Sequence, residues 1–384
     1  MTFFSFGIFL KPVTTQFGWD RGAFSAAISV TMLVAGSIGI FMGRLSDKYG
    51  PRLPATVGGI LAGTGFLLMS QISALWQVYL IFGCLIAVGG AGCVIPITST
   101  IPRWFAARRG IATGLTWTGM ALGGIIGPML VQSLISGHGW RLAYVVVGLI
   151  NLVLTPILAQ LLRRDPEQIG LRPYGESQAG PGVGHAERPE ASLSLGQAIR
   201  TRRFWILGSL LPCTFFVHQV MMSHLAPHAI DIKLAPATAA GIISLLGATN
   251  LVGRNLSGLV SDRIGARLYL TACLFVMTLS LVWLLFATDT WMLFMFAVVY
   301  GVAQGGIPIS HTLITGDVFG LRYLGTIMAS TMVLGSIGGS FGPPLAGSIF
   351  DSSSSYDLAF IICVLLSTLA LILSFFLLRA RAYD

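Results

Sequence analysis

The chain has 384 residues, of which 54% are hydrophobic and only 10% are Asp, Glu, Lys or Arg, and its mean hydropathy is +0.82. Soluble domains carry roughly 25% charged residues, so the composition argues against an ordinary soluble enzyme, a disordered chain and a disulfide-built secreted scaffold. The formal net charge of +9 alone would suit a nucleic-acid partner, but with so few charges the question is where they sit.

Twelve apolar stretches of helical length follow one another between charged or turn-rich breaks. They lie at roughly 1–18, 22–43, 53–72, 75–101, 110–135, 141–162, 204–228, 236–260, 268–287, 290–314, 323–348 and 357–378. Their continuous apolar character fits helices; a barrel would alternate in segments of roughly ten residues. The first span begins at Met1 and already carries Lys11 and Pro12. It has no basic n-region or cleavage site, so no signal peptide is expected, and it reads as a helix missing its opening turns. The long polar stretch Arg163–Arg203 reads as a flexible linker with a short amphipathic piece near Ser194–Ile199. It divides the chain into an N-terminal six-helix unit (1–162) and a C-terminal one (204–384). The five cysteines fall inside apolar spans without CxxC spacing and read as packing residues.

The two halves repeat each other. After span two the chain reads Gly43-Arg-Leu-Ser-Asp47-Lys48-Tyr-Gly50-Pro-Arg52-Leu, and after span eight Gly258-Leu-Val-Ser-Asp262-Arg263-Ile-Gly265-Ala-Arg267-Leu. The offset is 215, and the same offset relates Gly123-Gly124 and Gly127-Pro128 to Gly338-Gly339 and Gly342-Pro343. Gly43 and Gly258 suit close helix approach, Gly50 and Gly265 a tight reversal, and Asp47 and Asp262 can pair at helix ends. This duplicated loop resembles the signature of the major facilitator superfamily. Three further stretches resemble its monocarboxylate and oxalate/formate branch: Arg103-Trp-Phe-Ala-Ala-Arg-Arg109-Gly-Ile-Ala-Thr-Gly114, His224-Leu-Ala-Pro-His-Ala, and Asn250-Leu-Val-Gly-Arg254. The resemblance implies an all-α integral membrane protein with twelve transmembrane helices in two pseudo-symmetric six-helix bundles.

Charge distribution assigns the sides. If the loops after even-numbered spans face the cytoplasm, they and the C-terminus hold 18 of the 23 Lys and Arg residues. Lys11, Arg21, Arg141 and Lys233 lie on the other side, and both termini are then cytoplasmic, as expected in a bacterial inner (plasma) membrane. The one remaining cation, Arg254, falls eight residues before Asp262, about 12 Å deep at 1.5 Å per residue. An arginine there costs at least ~2.5–3.5 kcal/mol on insertion scales and is usually functional. Its guanidinium can hold a carboxylate bidentately. Asn250, one turn earlier on the same face, can orient it or donate to the ligand. Many members of the resembled branch carry Asp at this place, so Asn250 departs from a carboxylate proton relay. The 14 acidic residues divide into nine cytoplasmic and five opposite, leaving none at mid-membrane, which favours a monoanionic substrate over a dianion.

His311, inside span ten, is the proton-coupling candidate by depth, with a packing role equally open. The resemblance places spans one, four, five, eight, ten and eleven around a central cavity, which suggests Phe4, Val94, Met120, Gln304 and Val333 as lining residues. Relatives often have Tyr where Val94 stands. Pro128, Pro343 and Pro344 can bend their helices. No paired acids, Ser/His/Asp set, metal cluster or phosphate loop lies in the spans, so no enzyme activity, cofactor or metal is expected. The expected function is secondary active transport of a small lactate- or pyruvate-like monocarboxylate by alternating access with a proton. Anion exchange of oxalate/formate type and drug or metabolite efflux are the alternatives. The expected partners are the carboxylate, the proton and the bilayer, with no nucleic acid and a monomeric chain.

Overall fold

The computed structural model describes residues 2–105, 109–172, 174, 193–320 and 324–379. Within them, twelve long helices coincide with the twelve apolar stretches. They are α1 (Thr2–Phe17), α2 (Arg21–Tyr49), α3 (Arg52–Met69), α4 (75–104), α5 (Arg109–His138) and α6 (Trp140–Ala159). The second half supplies α7 (Arg202–Asp231), α8 (Pro236–Ile264), α9 (Ala266–Leu285), α10 (Thr290–Phe319), α11 (Leu324–Ser353) and α12 (Asp357–Arg379). Helix α4 is continuous but carries a π-type turn over Ile81–Ile86. By length and composition, nine stretches of the described residues suffice to cross a membrane, and Leu122–Ala159 takes in parts of both α5 and α6. At 16 residues α1 is shorter than the ~20 a crossing needs.

The helices pack as two compact units. One comprises Ala27–Met120 and Ser133–Arg188; the other comprises Met1–Ala26, Ala121–Gln132 and Pro189–Asp384. In the first, α3 lies between α4 and α6 with almost no side chain at the crossings. A Cβ on Gly63 would meet the Leu152 backbone nitrogen at 2.6 Å, and one on Gly58 the Gly89 carbonyl at 2.7 Å. Small residues let backbones touch where lipid supplies no hydrophobic drive between helices. In the second unit, α7 packs on α1, α11 and α12, while α10 packs on α8 and α9. The glycine row of α11 does the same work there: Gly338 abuts Pro212, and a Cβ on Gly342 would sit 2.8 Å from the Phe216 carbonyl.

The duplicated loop motif has a structural counterpart. Gly50 and Gly265 end α2 and α8 at φ +82° and +85°, a conformation that costs most other residues energy, so each helix reverses at once into the next. Arg52, at the start of α3, donates Nε–H to the Leu162 carbonyl just beyond α6 at 2.6 Å. Arg267, at the start of α9, donates Nη1–H to the Leu377 carbonyl in α12 at 3.5 Å. Donor and acceptor are both displaced by 215 residues, so the repeat conserves a strap as well as a pattern. Lys48 and Arg263, beside these turns, are exposed. Gly43, Asp47 and Asp262 are described in their backbone only, and their expected packing and pairing lie outside the described residues. The two straps differ in length, which gives a test. Arg52→Gln should lower stability by about 2 kcal/mol, as for a lost hydrogen bond from a charged donor, and the loss of the longer Arg267 strap should cost less. Thermal unfolding of the purified variants in one detergent compares them.

The polar stretch between the halves is described only in part. Pro166–Ile169 forms a 3₁₀ turn, and Leu195–Ala198 a single helical turn at the expected amphipathic piece. The Ser194 N–H donates to Gln197 Oε1 at 2.9 Å, satisfying one free amide of that turn. The Thr201 hydroxyl then accepts from the Phe204 N–H at 3.2 Å and starts α7. The cysteines are all free thiols; Cys213, Cys273 and Cys363 are buried, Cys93 is half-buried and Cys84 exposed.

Candidate functional site

Three of the polar residues singled out in the second half, Asn250, Arg254 and Gln304, lie on the two helices α8 and α10 where they cross. Glycines on both helices bring the two backbones into contact there. A Cβ on Gly305 would collide with the Asn250 carbonyl and lie 3.0 Å from the Arg254 amide nitrogen. One on Gly253 would strike the Val302 carbonyl, and one on Gly301 the Thr249 hydroxyl. Thr249 Oγ1 lies 2.9 Å from the Ala297 carbonyl, so the crossing also carries a hydrogen bond between helices. This approach sets Asn250 and Arg254, one turn apart on α8, beside Gln304 of α10.

Asn250 and Gln304 are buried and Arg254 is half-buried. The Gln304 Oε1 atom is buried without a hydrogen-bond partner among the described residues, which a folded chain normally avoids. A third helix contributes a residue that sequence reasoning left aside. His218 of α7 lies within electrostatic reach of the Arg254 guanidinium, and its Nδ1 is buried with no hydrogen-bond partner among the described residues. One cation, two amides and an imidazole thus lie on three helices in mutual contact, within the apolar spans Arg202–Asp231, Pro236–Ser257 and Thr290–Phe319. Such a set can hold an anion through a guanidinium fork and neutral donors; it lacks the paired acids or nucleophile–base contact that bond-breaking chemistry needs.

The other expected residues stand apart from this crossing. His311 lies seven residues beyond Gln304 on α10, about 10 Å along the axis. It is fully buried, its Nε2 lies 3.4 Å from Thr331 Oγ1 of α11, and its Nδ1 has no hydrogen-bond partner among the described residues. Val333 of α11 and Val94 of α4 are 47% and 45% exposed, so neither is packed core. Phe4 and Met120 are described in their backbone only, and their side chains lie outside the described residues. The Gly301-x-x-x-Gly305 spacing was a readable signal for the α8–α10 contact, since small residues four apart mark close helix approach. Nothing in the sequence pairs His218 with Arg254, because they sit on different helices.

Comparison with known proteins agrees with this architecture. The model of the Major Facilitator Superfamily matches residues 1–271 and 229–383. Monocarboxylate transporter 13 of Rattus norvegicus is 29% identical over 366 residues, 93% of this chain and 80% of that protein. Monocarboxylate transporter 11 of Homo sapiens is 30% identical over 334 residues, 83% of this chain and 67% of that protein. Among solved structures, a bacterial homologue of the human lysosomal transporter Spinster, inward-facing and occupied, superposes with a TM-score of 0.75. It shares 16% sequence identity and covers 99% of this chain and 94% of its own, so it speaks for the fold alone. With its twelve helices, its internal repeat and these relatives, the chain belongs to the Major Facilitator Superfamily, in the monocarboxylate-transporter branch.

Proposed function

We propose that the protein moves a small monocarboxylate, of lactate or pyruvate type, across the membrane by alternating access, together with a proton. The observation that carries this reading is Arg254, set in an apolar span and accompanied by Asn250, Gln304 and His218. A carboxylate entering this site neutralises the guanidinium one for one, which lowers the cost of closing an apolar cavity around it. The relatives named monocarboxylate transporters support the substrate class. In this reading residues 1–162 and 204–384 are the moving halves, joined by 163–203, and the basic loops and both termini face the cytoplasm. Phe4, Val94, Met120 and Val333 line the path, and His311, one of whose nitrogens has no hydrogen-bond partner among the described residues, carries the proton.

A substrate panel in proteoliposomes tests it, with lactate, pyruvate, oxalate and a lipophilic cation compared with and without a pH gradient. Lactate or pyruvate uptake should rise severalfold with an inward proton gradient, and His311→Gln should remove that stimulation while leaving counterflow intact. Oxalate uptake that requires internal formate, or gradient-driven loss of the lipophilic cation, would instead assign exchange or efflux.

A further inference from the structure

A second polar cluster ties α1 and the start of α2 to α7, α11 and α12. Its centre is Asp231, the last residue of α7. Its carboxylate accepts from Arg21 Nη1 at 2.5 Å and Arg21 Nη2 at 3.1 Å, one oxygen each, and from Lys11 Nζ at 2.8 Å. Arg21 opens α2 and Lys11 lies in α1, so one carboxylate clamps two helices from the far end of the chain. Asp351, near the end of α11, accepts the backbone N–H groups of Arg21 and Gly22 at 2.9 and 2.8 Å. These are orphan amides of the first turn of α2, so one helix is capped by another helix's side chain. The Arg21 guanidinium also lies 3.7 Å above the centre of the Phe350 ring.

The cluster continues inward along an ordered chain of hydrogen bonds. Arg21 Nη1 donates to the Tyr356 hydroxyl at 2.8 Å, and that hydroxyl lies 3.1 Å from His224 Nδ1. His224 Nε2 lies 2.8 Å from the Pro343 carbonyl and 3.3 Å from Ser25 Oγ. A carbonyl only accepts, so Nε2 carries the hydrogen; a guanidinium only donates, so the Tyr356 hydrogen points to Nδ1. Burial pushes the Tyr356 phenol above the usual tyrosine range, which keeps that hydrogen in place. The chain ends at the Gly342-Pro343-Pro344 step of α11, where two prolines remove two helical N–H donors. The charges are balanced within the cluster: Lys11 and Arg21 against Asp231 and Asp351.

We infer that Lys11, Arg21, Asp231 and Asp351 form a latch that closes this end of the transport path by fastening the α1–α2 turn to α7 and α11. His224 and Tyr356 connect the latch to the proline break of α11. The inference rests on the alternating-access reading above, because opening this end then requires α2 to leave α7 and α11. Asp231 is the weak point, since removing its charge unpairs two cations at once and leaves them to repel each other. Arg21 and Asp231 act as one unit, so losing both should cost no more than losing either.

Thiol accessibility tests the latch without reference to any substrate. In a full-length chain with its five cysteines replaced by alanine, Ser25→Cys places a thiol just beneath the cluster, at a fully buried position. A membrane-impermeant methanethiosulfonate is added in the absence of substrate to the face that carries the α1–α2 turn. The thiol should be nearly unreactive in the parent and at least tenfold more reactive with Asp231→Asn or Arg21→Gln, and the double variant should match the singles. Asp351→Asn, which removes only the cap, should give a smaller rise. Reactivity that stays at the parental rate in variants with a parental elution profile overturns the latch, as does a double variant in which the two increases multiply. Accessibility that changes as expected in a protein that moves none of the panel substrates would keep the latch and sink the transport reading.

Discussion

Arg254→Gln abolishes saturable carboxylate uptake by the reconstituted protein. Glutamine keeps the stem and hydrogen-bonding capacity but loses the charge and the fork. Truncating one side of a buried charged pair costs about 2–5 kcal/mol, so uptake should fall on the order of 100-fold or more. Arg254→Lys separates charge from geometry. It keeps a cation on a flexible stem, so uptake should persist with KM raised about tenfold or more. Uptake kinetics and detergent thermal midpoints on the same three proteins decide the matter; parental KM and maximal rate in Arg254→Gln would place the substrate elsewhere.

Gly305→Ala should damage the same site without touching any polar side chain. The added methyl group has only backbone in front of it, the Asn250 carbonyl and the Arg254 amide, and backbone cannot rotate away. Overpacking of this kind costs about 1–3 kcal/mol and pushes α10 off α8, which moves Gln304 relative to Arg254. Both the thermal midpoint and uptake should fall. Gly241→Ala, on α8 itself, is the control, because its nearest neighbour is the Phe294 ring edge at 4.0 Å. There alanine gains about 0.5–1 kcal/mol of helix propensity, so stability should hold or rise. Equal losses in the two variants would mean that the α8–α10 contact has no special role.

The sequence was most informative where one helix carries the whole signal. Apolar runs defined twelve helices, and an offset of 215 foretold the duplicated turns at Gly50 and Gly265. Asn250 and Arg254 shared a face by spacing alone. Pairings across long separations were invisible. Lys11, Arg21 and Asp231 read as loop charges on one side of the membrane, yet they meet across 210 to 220 residues. His224 read as a histidine in span seven, and only the packing of α7 against α11 and α12 sets it between Tyr356 and Pro343. Periodicity reports which face of a helix is apolar; it carries no information about which helix that face meets.

Helix α4 shows a further limit of wheel-based reasoning. The π-type turn over Ile81–Ile86 accommodates an additional residue without ending the helix. An α-helix advances about 100° per residue, so every side chain from Ala87 to Trp104 is rotated by about that angle from where a wheel drawn from Leu75 puts it. A residue aligned by counting from the start of α4 is therefore assigned to the wrong face, even when the helix and its length are right. Val94 and Pro96 should be compared with relatives by counting back from Trp104, and an insertion or deletion of one residue in 81–86 would swing the whole second half of α4 around its axis.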